Sequence, residues 1–179
     1  EEASTEQNDR KKQRNNFWNL LITMRRKIKN RHAAQPDFTY SSQKVGKLIN
    51  YVMKEGKKNA AQKIVYGALE HIKEKLKTEN PLEVLDTALH NVGPVMEIRS
   101  RRVGGANYQV PREVRPDRKS TLAMRWILEA AHSKKGAPMR VKLGDELIAA
   151  SKNEGEAIKK RENTHRMAEA NKAFAHFAW

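Results

Sequence analysis

The 179-residue sequence lacks features that define several classes of protein. It contains no cysteine, which excludes a disulfide framework, thiolate catalysis and a zinc site built on cysteine. No apolar run approaches the roughly 20 residues that a membrane-spanning helix needs, so we expect a soluble chain. Acids are outnumbered, with 21 Asp and Glu against 36 Lys and Arg, and the formal net charge is +15. That surplus is typical of a partner for nucleic acid or an anionic membrane surface.

Signatures of catalysis are also missing. None of the six histidines stands in HExxH spacing or beside a plausible nucleophile signature. The pair Gly104-Gly105 lacks the lysine and the serine or threonine of a phosphate-binding loop. Asp145 and Glu146 adjoin on a predicted helix and point apart, and we interpret them as acids on a solvated face. We therefore expect no enzymatic activity, no metal site and no cofactor.

The most distinctive stretch is MEIRSRRVGGANYQVPREVRPDRK, residues 96–119. Residues alternate with a period of two on both sides of Gly104 and Gly105, which tolerate a positive φ, so a β-hairpin is predicted over residues 95–114. Pro111 cannot donate a hydrogen bond to a sheet ladder, so the returning strand is an edge strand or ends there.

A hairpin of this composition needs external support. Two strands are only marginally stable alone, and this stretch sets seven basic residues against three acids. We expect Met96, Ile98 and Val114, near the base, to pack on helices, whereas residues 101–109, around the turn, have too little apolar surface to do so. Arginine forks and a tyrosine face suit phosphates and bases, so a polyanion is the expected partner. The alternative is a solvated basic hairpin.

Apolar residues recur at helical spacing in three segments before the hairpin. The first helix is predicted to begin with Ser41 or Ser42 as its cap and to stop at Gly56. Lys57 and Lys58 open the second, where cations oppose the helix dipole; this favours a nearby anion over an ordinary solvated helix start. The third begins at Asn80 and Pro81 and ends at Gly93 and Pro94. Their apolar sides contain Val45, Leu48, Ile49, Val52 and Met53; Ala61, Ile64, Val65, Ala68, Leu69, Ile72 and Leu76; and Leu82, Leu85, Ala88, Leu89 and Val92.

Three more such segments follow the hairpin. Trp126 lies on the apolar side of the fourth helix, with Leu122, Ala123, Ile127 and Ala130, and is predicted to be buried. The fifth helix is predicted over Met139 to Ser151. The sixth is predicted to run from about Arg161, with an apolar side of Met167, Ala170, Phe174 and Phe177 or Ala178. The fold class is therefore mainly α, a single helical domain over residues 36–179 with about six helices and a protruding β-hairpin inserted between the third and fourth.

The N-terminal region differs in composition from the rest. Charges cancel over residues 1–23, which we interpret as a disordered extension, either specific to an organelle or translated from upstream. Residues 24–35 form a basic arm whose cations have no intervening acid, namely Arg25, Arg26, Lys27, Lys29 and Arg31. Such arms usually become ordered on nucleic acid, and the alternative is a soluble tail.

Several strings resemble one known family. RSRRVGGANYQVP with VRPDRK, GKKNAAQKIVYGAL, and AIKKRENTH leading into THRMAEANKAFAHFAW strongly resemble the bacterial and organellar form of small-subunit ribosomal protein seven. The likeness covers roughly residues 36–179 in unbroken order. The chain departs from the family at Phe177, where tyrosine is usual, and at Ala178, where a basic residue is common in bacterial members.

The resemblance implies a primary binder of small-subunit ribosomal RNA (rRNA) that organises assembly of the subunit head. Neighbouring ribosomal proteins of the head and platform are the implied protein partners, with no membrane. By position, the hairpin residues implied to lie near the exit-site transfer RNA and the messenger RNA path are Arg99, Arg101, Arg102, Gly104, Gly105, Asn107, Tyr108 and Gln109. The implied rRNA-binding residues are the arm cations with Lys57, Lys58, Arg112, Arg115, Arg118, Lys119, Lys159, Lys160 and Arg161.

Two alternatives remain open. The implied location is a bacterial ribosome in the cytoplasm, but a mitochondrial or plastid ribosome fits the same strings. Charge alone also permits a free-standing DNA-binding regulator or architectural protein that places a basic ribbon and helices on duplex DNA. Basic clusters spread over the arm, hairpin and helix ends suit a folded RNA better than a single DNA groove.

Overall fold

The computed structural model describes residues 35–177. The predicted extension over residues 1–23, the cations of the basic arm and Ala178 lie outside the described residues. Within the described range the chain forms six α-helices, one antiparallel hairpin and a terminal 3₁₀ helix. The hairpin lies between the third and fourth helices, so the predicted fold class is confirmed. None of these helices is both long and apolar enough to cross a membrane.

The first three helices lie where the apolar periodicity predicts them. They are α1 (Gln43–Val52), α2 (Lys58–Leu76) and α3 (Pro81–Val92). Pro81 occupies the first position of α3, where its fixed φ suits the helix and its missing N–H costs no internal hydrogen bond. Ser42 and Asn80 stand at the predicted cap positions, but neither side chain makes a capping hydrogen bond.

The hairpin consists of β1 (Met96–Val103) and β2 (Ala106–Glu113). Its register pairs Val103 with Ala106, so Gly104 and Gly105 form a two-residue turn. Both glycines have positive φ, 58° and 90°, which side chains with a Cβ rarely adopt. Strand β2 continues through Pro111, as a two-stranded ribbon permits because each strand has an edge without a partner.

Three helices follow the hairpin: α4 (Pro116–Ser133), α5 (Met139–Ser151) and α6 (Glu156–Ala170). The predicted start of the sixth helix near Arg161 is wrong, because Ala157 and Ile158 already belong to α6 and are buried. Its predicted apolar side is also wrong in part, since Met167 and Ala170 are exposed. A 3₁₀ helix over Lys172–Phe177 carries Phe174 and Phe177 away from the core.

A single apolar core joins all six helices. Its largest fully buried side chains come from five helices and include Leu48, Ile49, Leu69, Ile72, Leu85, Met124, Ile127, Leu143 and Leu147. The sixth helix contributes Ala157 and Ile158. Trp126 is 9% exposed and belongs to this core, as predicted. Burial of this apolar surface is the main stabilising contribution, roughly 25 cal/mol for each Å² removed from water.

Glu146 contradicts the interpretation of the paired acids as a solvated face. Its side chain is fully buried, its Oε1 accepts a hydrogen bond from the N–H of Ala157 at 3.1 Å, and its Oε2 lies 2.6 Å from Nζ of Lys134. The carboxylate thus satisfies a free N–H in the first turn of α6 while pairing with a cation that follows α4. A Cβ on Gly155 would lie only 2.8 Å from Oε1, so a glycine gives the carboxylate its space.

Asp145, the neighbouring acid, is only half-buried. Its Oδ1 lies 3.0 Å from Nε2 of His71 and accepts a hydrogen bond from Lys75 at 2.6 Å. Burial works to raise the pKa of Asp145, but the contacts with Lys75 and His71 outweigh it and lower the pKa below its usual value. This acid therefore links α5 to α2.

Candidate nucleic-acid interface

A groove runs between α1, α3 and α4 beside the base of the hairpin, and we name it the basic groove. It encloses about 390 Å³. The side chains that line it combine cations, other polar groups and an apolar floor: Gln43, Lys44, Lys47, Asp86, Leu89, His90, Pro116, Lys119, Ser120 and Met124. Leu89 and Met124 are core residues, so the floor is part of the packed core.

The charge of the basic groove is only partly neutralised. Lys44 pairs with Asp86 at 2.7 Å, whereas Lys47 and Lys119 make no ion pair with any residue between 35 and 177. Lys119 is held by packing, because a Cβ on Gly93 would lie 2.7 Å from two carbons of the lysine side chain. Two unpaired ammonium groups over an apolar floor suit a phosphate and the adjoining sugar or base.

A tyrosine and an arginine form a pair on α1 and α4, the helices that carry Lys47 and Lys119. The guanidinium of Arg125 lies 5.7 Å from the ring centre of Tyr51, and the hydroxyl of Tyr51 donates a 3.4 Å hydrogen bond to Thr121. The sequence interpretation missed these residues and Lys44 and Lys47. A signal was present, because Lys44, Lys47 and Tyr51 are spaced three and four residues apart and therefore share one side of α1.

Glu97 organises the arginines near the base of the hairpin. Its carboxylate is largely buried and lies 3.1 Å from Nε of Arg118 and 3.5 Å from Nε of Arg99. Arg112 and Arg115 are exposed and make no ion pair within the described part of the chain. Four residues in this region were predicted to lie at or near RNA. Arg99 and Arg118 pair with Glu97, whereas Arg112 and Arg115 are available to an anion.

His165 connects the hairpin base to α6. The N–H of Val95 donates a 3.1 Å hydrogen bond to its Nε2, which must be unprotonated to accept it. Burial lowers the pKa of His165, and the nearby cations Arg161 and Lys119 lower it further. Two predicted binding residues from different parts of the sequence, Lys119 and Arg161, are therefore close to one imidazole.

The outer part of the hairpin contacts the 3₁₀ helix, contrary to the expectation that residues 101–109 do not pack. The ring of Tyr108 lies 5.2 Å from that of Phe174 and 5.3 Å from that of Phe177, and Arg101 donates a 2.7 Å hydrogen bond to the carbonyl of Phe177. We name these contacts the C-terminal clasp. Arg102, Gly104, Gly105 and Asn107 lie beyond these contacts at the turn and are exposed, and Gln109, on the base side of Tyr108, is exposed as well.

The remaining predicted residues lie at helix starts, away from the lining of the basic groove. Lys57 pairs with Glu55 at 2.7 Å, and Lys58 begins α2 without an ion pair within residues 35–177. Lys159 pairs with Glu156 at 2.8 Å, and a hydrogen bond from that pair raises the pKa of the lysine.

Lys160 and Arg161, which follow Lys159 in α6, also have partners. Lys160 pairs with Glu129 of α4, and Arg161 donates a hydrogen bond to the carbonyl of Asn91 near the end of α3. Arg161 thus stabilises the fold, because a cation at a helix C-terminus complements the dipole. These residues would have to exchange protein partners to bind a phosphate.

Known proteins resemble this chain over most of its length. The family described as "Ribosomal protein S7p/S5e" matches residues 24–172. "Small ribosomal subunit protein uS7" of Thermotoga neapolitana is 59% identical over 156 residues, covering 87% of this chain and 100% of the relative. The protein of the same name from Alkalilimnicola ehrlichii is 56% identical over 143 residues, covering 80% and 91%. That of Caldanaerobacter subterraneus is 58% identical over 144 residues, covering 80% and 92%.

Proposed function

The chain belongs to the ribosomal protein S7p/S5e family, a family of structural ribosomal proteins, and we propose that it binds small-subunit rRNA directly through the basic groove and the adjoining hairpin base. The relatives are bacterial small-subunit proteins, which indicates a cytoplasmic ribosome as its location. Family membership favours this function over the free-standing DNA-binding regulator.

The observation that carries the proposal is the unpaired charge of the basic groove. Lys47 and Lys119 approach from different helices over a floor of core residues, and no acid within residues 35–177 forms an ion pair with either one. Each ammonium can neutralise one phosphate and release its condensed counterions. The apolar floor and the nearby Tyr51 and Arg125 can contact sugar or base, so the groove suits a folded single strand or an irregular junction better than a regular duplex.

Further cations would extend this contact area. Arg112 and Arg115 are available at the hairpin base, and Lys58 at the start of α2. We include the predicted arm residues Arg25, Arg26, Lys27, Lys29 and Arg31, because a run of cations without acids has no local partner along the chain. Lys57, Lys159, Lys160, Arg118 and Arg161 are proposed as secondary contacts, because each already has a partner in the protein.

Within the subunit, we propose that binding by this protein nucleates assembly of the head. One core joins all six helices, so a single folded body can hold RNA segments that approach from several sides. The exposed turn of the hairpin is proposed to lie near the exit-site transfer RNA and the messenger RNA path. Its exposure and Arg102 support this role, with Arg102 and Asn107 beyond the clasp and the exposed Gln109 beside it as the residues proposed to reach RNA.

The test is the salt dependence of binding to a fragment of small-subunit rRNA in excess duplex DNA. We expect log affinity to fall with log salt by about 0.7 to 0.9 per phosphate neutralised. Lys47→Gln and Lys119→Gln should each weaken binding and reduce that slope by about one phosphate equivalent. Lys73→Gln is the matched control, since Lys73 is an exposed lysine of α2 outside the groove. A flat salt dependence, or an equal effect of the control, would overturn the proposal.

A further inference from the structure

Phe38 is the most exposed large apolar side chain in the described part of the chain, at 99%. It lies in a turn that precedes α1 and lines no part of the basic groove. Single exposed apolar residues are common and need no special explanation. Phe38 differs from these because the backbone that carries it is fixed in place on both sides.

Asp37 fixes the turn from one side. Its carboxylate is 7% exposed and accepts hydrogen bonds from the N–H of Thr39 at 3.2 Å, the N–H of Tyr40 at 3.3 Å and the hydroxyl of Tyr66 at 2.8 Å. Its own N–H donates a 3.2 Å hydrogen bond to the carbonyl of Ser42. A buried carboxylate with three donors holds the residues after it firmly in one arrangement.

Packing fixes the turn from the other side. The Tyr40 ring packs on Tyr66, with 5.9 Å between ring centres. A Cβ on Gly46 of α1 would lie 2.4 Å from the carbonyl oxygen of Gln35, so only glycine allows the chain to pass this close to the helix. The turn therefore cannot fold Phe38 back onto the core without breaking these contacts. The ring remains in water, which costs free energy unless another molecule covers it.

The charge of the surrounding sequence indicates what covers the ring. Residues 25–47 contain seven Lys and Arg and a single acid, Asp37, whose charge is buried and fully hydrogen-bonded. An aromatic residue with cations on both sides of it in the sequence matches a single-stranded nucleic acid, because cations can contact the phosphates while the ring stacks on a base. An apolar protein surface would have to desolvate those cations without neutralising them.

We propose that the turn held by Asp37 and Tyr40 positions Phe38 so that its ring stacks on an unpaired base of rRNA. This rests on the proposed function, since it assigns a base contact to a protein that binds rRNA. The basic groove supplies charge, whereas Phe38 supplies a neutral contact. Stacking of one base on an aromatic side chain strengthens binding by roughly 5- to 150-fold.

The first test compares full-length variants binding the rRNA fragment across a range of salt concentrations. Phe38→Ala should weaken binding by roughly 5- to 150-fold at every salt concentration and leave the salt slope unchanged, because the ring carries no charge. Phe38→Tyr should restore most of the affinity. Met167→Ala is the matched control, because Met167 is an exposed apolar residue on α6. Thermal unfolding should be unchanged for all three variants.

The second test identifies the molecule that covers the ring. A photoreactive benzoyl-phenylalanine replaces Phe38 in chains assembled into small subunits, and the crosslinked partner is identified. A crosslink to an unpaired rRNA nucleotide supports the proposal; a crosslink only to a protein overturns it. The proposal is also overturned if Phe38→Ala binds rRNA with unchanged affinity while Lys47→Gln and Lys119→Gln bind it more weakly. If the wild-type chain does not bind rRNA at all, the proposed function has failed as well.

Discussion

The helices and the hairpin of this protein are held in place by different kinds of contact. The six helices share a core of fully buried side chains, from Leu48 in α1 to Ile158 in α6. The hairpin has only two buried residues, Val110 and Pro111, and is otherwise held by His165 and the Glu97–Arg118 ion pair near its base and by the C-terminal clasp. Core contacts are numerous and cooperative, whereas hairpin contacts are few and separable. Changes in the first region should therefore affect the whole fold, and changes in the second should affect the hairpin alone.

The largest expected effect is that of Trp126→Ala, which removes a buried ring from the core. We expect the free energy of unfolding to fall by about 3 to 5 kcal/mol. Urea unfolding of the full chain measures it, with Trp126→Phe as a control that should lose less. Unchanged stability combined with weaker RNA binding would mean that the ring contacts RNA and does not contribute to the core.

A smaller loss is expected for Glu146→Ala, which leaves the N–H of Ala157 without its acceptor inside the protein. We expect the free energy of unfolding to fall by about 1 to 3 kcal/mol, the usual penalty for an unsatisfied buried group. The control is Asp145→Ala, which removes a half-exposed acid next along the chain and should cost less than about 1 kcal/mol. Equal losses for the two variants would restore the interpretation of both acids as a solvated pair.

Tyr108→Ala tests whether the C-terminal clasp holds the hairpin. Loss of the ring contacts with Phe174 and Phe177 should lower the free energy of local opening of the hairpin by about 0.5 to 1.5 kcal/mol. Hydrogen exchange should therefore become faster at hairpin amides and stay unchanged in α2. Gln109→Ala, at the adjacent exposed position, is the control. Exchange that accelerates equally in the helices would show that the hairpin is part of the cooperative core.

The smallest effect on stability is expected when residues 102–107 are deleted and the strands are joined by a short turn. The retained Arg101 and Tyr108 keep the clasp, so the free energy of unfolding should change by less than about 0.5 kcal/mol. Subunit yield should be nearly normal, while retention of exit-site transfer RNA or reading-frame fidelity should change. A folded variant that is absent from purified subunits would place the tip within the primary rRNA contact. A variant present in subunits with unaffected translation would leave the tip without the proposed role.

The sequence predicted the structural features that depend on residues close together along the chain. Apolar spacing located five of the helices, and the alternation around Gly104 and Gly105 located the hairpin, because both patterns arise within a few residues. The start of α6 was wrong because its first turn has only Ala157 and Ile158 as buried residues, too few to make a periodic signal. Periodicity therefore locates a helix end poorly where charged residues dominate the turn.

Contacts between distant residues could not be predicted in this way. Glu146 is buried because Lys134 and Ala157 reach it from other elements, and Tyr108 is packed because the 3₁₀ helix returns to the hairpin. The basic groove was missed for the same reason. Lys47 and Lys119 lie far apart in the sequence, and only the packing of α1 against α4 brings them to one groove.

The open edges of the hairpin have a consequence for the free chain before it meets RNA. Within the described residues the sheet has only two strands, so each strand has one edge with no strand partner. Such edges invite pairing with another copy and can start aggregation. Pro111 interrupts the donors of one edge, and the exposed Arg99, Arg102 and Arg112 make two approaching hairpins repel each other. We therefore expect the same arginines to limit self-association of the unassembled protein, so that neutralising them reduces its solubility as well as its affinity for RNA.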